Sequence, residues 1–181
     1  MRLRFSHFAL LGWLLATLAP ATAAFAEETP HEFPPVQRVA GIPLVLNGYG
    51  ERERWFLNVY GCALYAPRKS SSPAFLMAPS TPTAIRILVR IDPPAEPPDR
   101  WEETFRAELS RELFHRLTDA YETIVAGDEL LFAYAPRAGT TAYLNDRKLF
   151  HDPGHGLMRG LLEQWLGPQP VSLNLRRLLL K

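Results

Sequence analysis

Cysteine is almost missing from this sequence. Cys62 is the sole one, which excludes an internal disulfide framework and leaves the hydrophobic core to hold the domain together. It sits in the apolar stretch Gly61-Cys62-Ala63-Leu64, where a thiol is expected to be buried and inert rather than nucleophilic. A charge excess of either sign is missing too. With 20 basic and 19 acidic residues the formal net charge is +1, so there is no electrostatic footprint for nucleic acid or an anionic membrane. Beyond the N-terminus no apolar run approaches ~18 residues, the least that spans a bilayer as a helix. Phosphate loops and dinucleotide fingerprints are absent, and Ser70–Ser72 has neither a glycine elbow nor a paired base, so it reads as a turn. His151 and His155 stand four apart around Asp152, but Pro153-Gly154 prevents a regular helix there. The pair therefore reads as loop rather than metal site, and neither metal nor cofactor is expected.

The N-terminus has the layout of a signal peptide. Arg2 and Arg4 precede an apolar run from Phe8 to Leu18, Pro20 breaks it, and Ala24-Phe25-Ala26 offers the small residues of a cleavage site. Leu3 separates the arginines, so this is not a twin-arginine signal. Residues 1–26 are expected to be removed near Ala26, delivering the protein to the periplasm or outside the cell with no stable membrane insertion. Arg2 and Arg4 leave with the signal, taking the formal charge to about −1. About 155 residues remain, the size of one domain with one core. Residues 27–35 are polar and proline-bearing, an expected flexible lead before a domain over 36–181.

Along that domain the pattern is α+β. Short strands are expected at Val36–Val39 and Leu44–Leu46, with Asn47-Gly48 as a hairpin turn. The longest strand signal runs from Arg52 to Tyr65. Pro73 precedes a short helix around Ala74–Ala78. Thr83–Ile91 alternates, Ile85, Ile87 and Val89 on one face and Arg86 and Arg90 on what reads as the wet one. After the linker Asp92–Pro98, Asp99 and Glu102 resemble a capping box for a helix striped by Trp101, Phe105, Leu109, Leu113 and Leu117, with His115 on its charged side. Leu130–Tyr134 and Thr140–Leu144 read as a hairpin, and Asn145-Asp146 turns into Arg147–Phe150. A helix carrying Leu157, Leu161 and Trp165 stops at Gly167-Pro168, and Ser172 caps a last one. No internal repeat is present. Strands before and after helices imply a sheet with helices on one side.

Four segments then resemble one family in order and spacing. They are Leu44–Arg52 (LVLNGYGER), Val59–Tyr65 (VYGCALY), Gly127–Leu130 with Tyr134 and Gly139-Thr140, and Leu162–Gly167 (LEQWLG) with Pro170-Val171-Ser172 and Leu175. Together they resemble the bacterial, exported branch of the chalcone-isomerase-like family, over about Val36 to Leu180. The resemblance implies an open-faced β-sandwich: an antiparallel sheet, a layer of helices against it, and a ligand cleft between them. The family includes plant enzymes that cyclise chalcones, plant proteins that bind fatty acids, and bacterial members without an assigned activity, so the site must decide the function.

In the enzymes of the family, an arginine in a Gly-x-Gly-x-Arg stretch and a threonine on the next strand line the cleft. A tyrosine, lysine and asparagine from a helical segment and a threonine of the penultimate helix join them. Arg52 matches the arginine, Tyr60 stands at the strand threonine and Gln164 at the helical one. Asp99–Leu117 contains no Tyr, Lys or Asn. The fatty-acid-binding relatives instead pair an arginine with a tyrosine on the ligand carboxylate, and Arg52 with Tyr60 matches that pair. A guanidinium can grip a carboxylate bidentately while a phenol donates to a remaining lone pair. Arg54, Asn58 and Trp165 complete the candidate ligand set. Arg52, Arg54, Phe56, Asn58, Tyr60 and Cys62 share one strand parity, mixed as a cleft wall should be, whereas Trp55, Leu57, Val59 and Ala63 read as core. Straight strand would separate Arg52 from Tyr60 by ~26 Å, which makes Arg54 an alternative partner. Three functions follow: a module binding a small amphipathic carboxylate, fatty or aromatic; an isomerase or intramolecular lyase; and a non-catalytic scaffold whose protein partner the sequence does not identify.

Overall fold

The computed structural model describes residues 32–92 and 101–181. The expected signal peptide, most of the lead, most of the proline-rich linker and the Asp99 cap lie outside them. Seven strands form one sheet in sequential order, every neighbour antiparallel: β1 (Val36–Val39), β2 (Ile42–Arg54), β3 (Leu57–Ala66), β4 (Thr83–Val89), β5 (Glu129–Ala135), β6 (Gly139–Leu144) and β7 (Arg147–Asp152). The helices are α1 (Pro73–Leu76), α2 (Trp101–Glu108), α3 (Arg111–Tyr121), α4 (Gly156–Leu166) and α5 (Leu173–Leu179). No helix among the described residues is long and apolar enough to cross a membrane.

The first hairpins differ from the expected ones. Asn47-Gly48 is not a turn but lies inside β2, at a register shift between Leu46 and Gly48. The Asn47 carboxamide is turned inward, where it accepts from the Ser70 N–H at 2.7 Å and donates to the Leu179 carbonyl at 2.6 Å. The chain reverses instead at Ala40-Gly41 and at Trp55-Phe56, each pair with positive φ. The stretch from Arg52 to Tyr65, expected as one strand, is therefore the end of β2, a two-residue turn and most of β3. Bulky aromatics at φ of 51° and 68° oppose local preference by about 1–3 kcal/mol each, so no turn signal announces them.

The single helix expected from Asp99 to Leu117 is two. Ser110 interrupts it, its hydroxyl accepting from the Leu113 N–H as the N-cap of α3. Ser72 and Ser172 cap α1 and α5 in the same way. The apolar stripe still serves its purpose, for Trp101, Phe105, Leu109 and Leu117 are buried.

One face of the sheet packs on the helices. Ile85, Ile87 and Val89 of β4 and Leu130 and Phe132 of β5 meet Trp101, Phe105, Leu161 and Trp165 there. The other face curls: β1 reaches across to β4 and β5, enclosing a smaller cluster with Phe33, Leu44, Tyr65, Ala84 and Leu131. The architecture is an open-faced α+β half-barrel. Arg86 and Arg90, expected on a wet face, are half-buried on this curled one. Arg86 pairs with Glu129 at 2.5 Å and donates to the Gln37 side chain at 2.7 Å. Arg90 bridges Glu51, at 2.5 Å, and Glu32. Residues 32–35, the end of the expected lead, lie against the sheet, with Phe33 buried and the Pro35 carbonyl accepting from the Leu46 N–H.

Candidate functional site

The Gly-x-Gly-x-Arg stretch is explained by the helix it meets. Gly48, Gly50 and Arg52 share the helix-covered face of β2, opposite Leu64, Cys62 and Tyr60 of β3. A Cβ on Gly48 would stand 2.2 Å from the Leu178 carbonyl oxygen, and one on Gly50 would stand 2.6 Å from the Leu178 side chain. Two glycines thus let α5 lie directly on the strand. Arg52 is the next position on that face.

Arg52 and Tyr60 are cross-strand partners. The ~26 Å separation of a straight strand does not exist, because the Trp55-Phe56 turn folds β3 back along β2. Tyr60 is 3% exposed, and its hydroxyl accepts a hydrogen bond from the Trp165 indole at 3.0 Å. That bond is buried and uses the phenol oxygen as an acceptor. Trp101 stands beside both, its ring 6.2 Å from Tyr60 and 6.1 Å, edge-on, from Trp165. Phe105 and Phe132 stack below. Arg52 is half-buried beside Tyr60, and its Nη1 donates to the Glu53 carbonyl at 2.6 Å.

The other candidates fall elsewhere. A register shift between Arg52 and Glu53 sets Asn58 opposite Glu53, out of line with Tyr60. Arg54 and Asn58 are exposed near the hairpin tip. Gln164 is buried, but it faces α2, donating to the Thr104 hydroxyl at 3.0 Å. Its Oε1 has no partner among the described residues. Phe56 does not line the cleft, and Trp55 and Leu57 are not core: their exposures are 104%, 82% and 56%. Burial first, and Glu51 second, push the Cys62 thiol well above its usual range, so it stays protonated and unreactive. His151 is an exposed β7 residue bonded to Thr141, while His155 packs on the Tyr134 ring at 4.6 Å. The described residues contain no cluster of three metal-ligating side chains.

Two features escape sequence reasoning. The Tyr60–Trp165 bond joins residues 105 positions apart, with no local signal. A groove of about 510 Å³ also runs along β2 beside α5, lined by Tyr49, Gly50, Lys69, Leu178 and Lys181 among others. It exists because β1 pairs only with Ile42–Val45 and leaves the rest of that edge uncovered by strand. The spacing of Gly48 and Gly50 is the only hint of it.

Comparison with known proteins agrees with this geometry. A crystal structure of an Arabidopsis thaliana fatty-acid binding protein matches with a TM-score of 0.59 and 17% identity, over 82% of this chain and 90% of that one. At that identity the match shows a shared fold. No curated protein matches significantly. The family model described as chalcone isomerase-like matches residues 27–181, and the chain belongs to that family.

Proposed function

We propose that the protein binds a small amphipathic carboxylate, a fatty or aromatic acid, outside the cytoplasm and without turning it over. The observation that carries this reading is the cross-strand pairing of Arg52 with Tyr60 beside the aromatic wall. The guanidinium takes the carboxylate, the phenol donates the second contact, and Trp165 fixes the phenol's direction. The tail runs along β2 into the groove beside α5, whose volume is in the range of small-molecule sites. The fold shared with a fatty-acid binding protein supports the choice of ligand. The lack of Tyr, Lys and Asn in Asp99–Leu117 supports binding over cyclisation. Delivery to the periplasm or beyond rests on the signal-like Arg2–Ala26.

The test is native mass spectrometry of gently purified protein, followed by titration with a long-chain fatty acid and with cinnamate. A stoichiometric acid is expected, and Arg52→Ala should weaken it by ~2–4 kcal/mol, roughly 30- to 1,000-fold. Unchanged affinity in that variant would remove Arg52 from the site, and turnover of a chalcone would replace binding with catalysis. A second reading has its own support: Trp101, Phe105, Phe132 and Trp165 are all buried against one another. Protein that refuses every acid would make this wall the core of a scaffold.

A further inference from the structure

The β2–β3 turn is the least economical piece of the fold. Trp55 and Phe56 both occupy the left-handed region, which bulky side chains avoid and Asn-Gly fills without strain. The strain secures no internal packing, because Trp55, Phe56 and Leu57 are the three most exposed apolar side chains of the hairpin. Arg54 flanks them, exposed, and Arg52 follows on the same strand. Glu53 lies between, while Glu51 is already engaged by Arg90.

We propose that this tip is a wedge that docks the protein on a lipid bilayer and brings Arg52 and Tyr60 to the depth of the headgroups. Trp and Phe side chains favour the boundary between headgroups and acyl chains, and surface-docked apolar groups settle ~5–10 Å into it. Three residues of strand place Arg52 ~10 Å behind the tip. A wedge seated at the boundary therefore holds Arg54 and Arg52 among phosphates, at the level where a fatty acid dissolved in a bilayer keeps its carboxylate. A protruding turn of three contiguous apolar residues suits a deformable lipid surface, whereas a protein partner would need a matching pit. The docking stands on the turn itself; the purpose assigned to it rests on the carboxylate-binding reading above.

Vesicles of mixed phosphatidylethanolamine and phosphatidylglycerol, free of added fatty acid, provide the test. Trp101 and Trp165 are buried, so Trp55 is the described tryptophan whose emission can respond to lipid. Wild-type protein is expected to co-sediment with the vesicles, with a blue shift quenched by brominated lipid. Trp55→Asn combined with Phe56→Gly installs the residues that such a turn prefers. This variant is expected to fold at least as well, to bind fatty acid in solution as before, and to lose vesicle binding by roughly tenfold or more. Wild-type protein left in the supernatant would overturn the proposal, and so would a variant that sediments equally. Docking by a protein that binds no fatty acid would overturn the role given to Arg52 and leave the wedge standing.

Discussion

The two faces of the sheet handle polar side chains in opposite ways. On the helix-covered face the interior is apolar, and its polar groups are neutral and stand at both ends: Tyr60 with Trp165 beside Arg52, and, at the other end, Tyr134 and Thr140, which donate to the Pro79 and Gly154 carbonyls. On the curled face arginines run along the strand, and each is tied to acids on other parts of the chain: Arg86 to Glu129, Arg90 to Glu51 and Glu32. The difference is one of charge: ion pairs cement the curled face, and apolar packing with neutral hydrogen bonds holds the other. Arg86 and Arg90 hold the first strands and the residues before them onto the curl, while the other face buries neutral polar groups and carries Arg52 beside Tyr60.

If the comparison is sound, the helix face should carry most of the stability. Trp165→Ala is expected to cost ~3–5 kcal/mol, the usual loss for a buried Trp, measured by urea unfolding. Trp165→Phe keeps most of the packing but strips the donor from Tyr60, and about 1–2 kcal/mol is expected. The curled face should yield less. Arg86→Ala leaves Glu129 and Gln37 without their donor and should cost about 1–2 kcal/mol, and pairing Arg86→Met with Glu129→Leu should recover part of that. A loss from Arg86→Ala equal to that of Trp165→Ala would break the distinction.

The smallest effect belongs to Glu32. The hydrogen bond from Arg90 holds its carboxyl below the ordinary 4.5, against an opposing push from burial. The folded state therefore gives up this proton more readily than the unfolded one. Its contribution is full above the ordinary value and fades as pH falls through the lowered folded one. The pair is partly exposed, so a few tenths of a kcal/mol is expected, reduced further by salt. Urea midpoints of the parent and Glu32→Gln should differ at neutral pH and converge in acid.

The later strands and the last two helices were legible because their signals are local. Period-two alternation marks β4, hairpin spacing marks β5 and β6, Asn145-Asp146 marks the turn into β7, and Ser172 marks a cap. Where local chemistry and tertiary need disagree, reading failed. Asn47-Gly48 has the chemistry of a turn, but the Asn47 carboxamide is required by Ser70 and by Leu179, 132 residues away. Trp55-Phe56 lacks turn chemistry and turns nevertheless. The site suffered from the same error, since the apparent distance between Arg52 and Tyr60 depended on missing that reversal. Their residue types were readable from the resemblance; their adjacency required the fold. Ser110 shows the milder case, where a good cap in the middle of an apolar stripe divides one helix into two without moving the stripe.

The bond from Asn47 to the Leu179 carbonyl, with α5 seated on Gly48 and Gly50, also sets the order in which the molecule can be finished. Each strand pairs with its neighbour in sequence, so the sheet can grow by successive local reversals as the chain emerges N-terminus first. The second strand cannot complete its contacts that way. Its bare glycine face and its inward carboxamide wait for residues 173–179, when nearly everything else is already in place. Until then β2 presents uncovered backbone beside unfinished core, the state in which a nascent sheet is most open to joining another copy of itself. Helix α5 thus acts as a latch on β2, and the interval before it closes is when a chaperone would matter most.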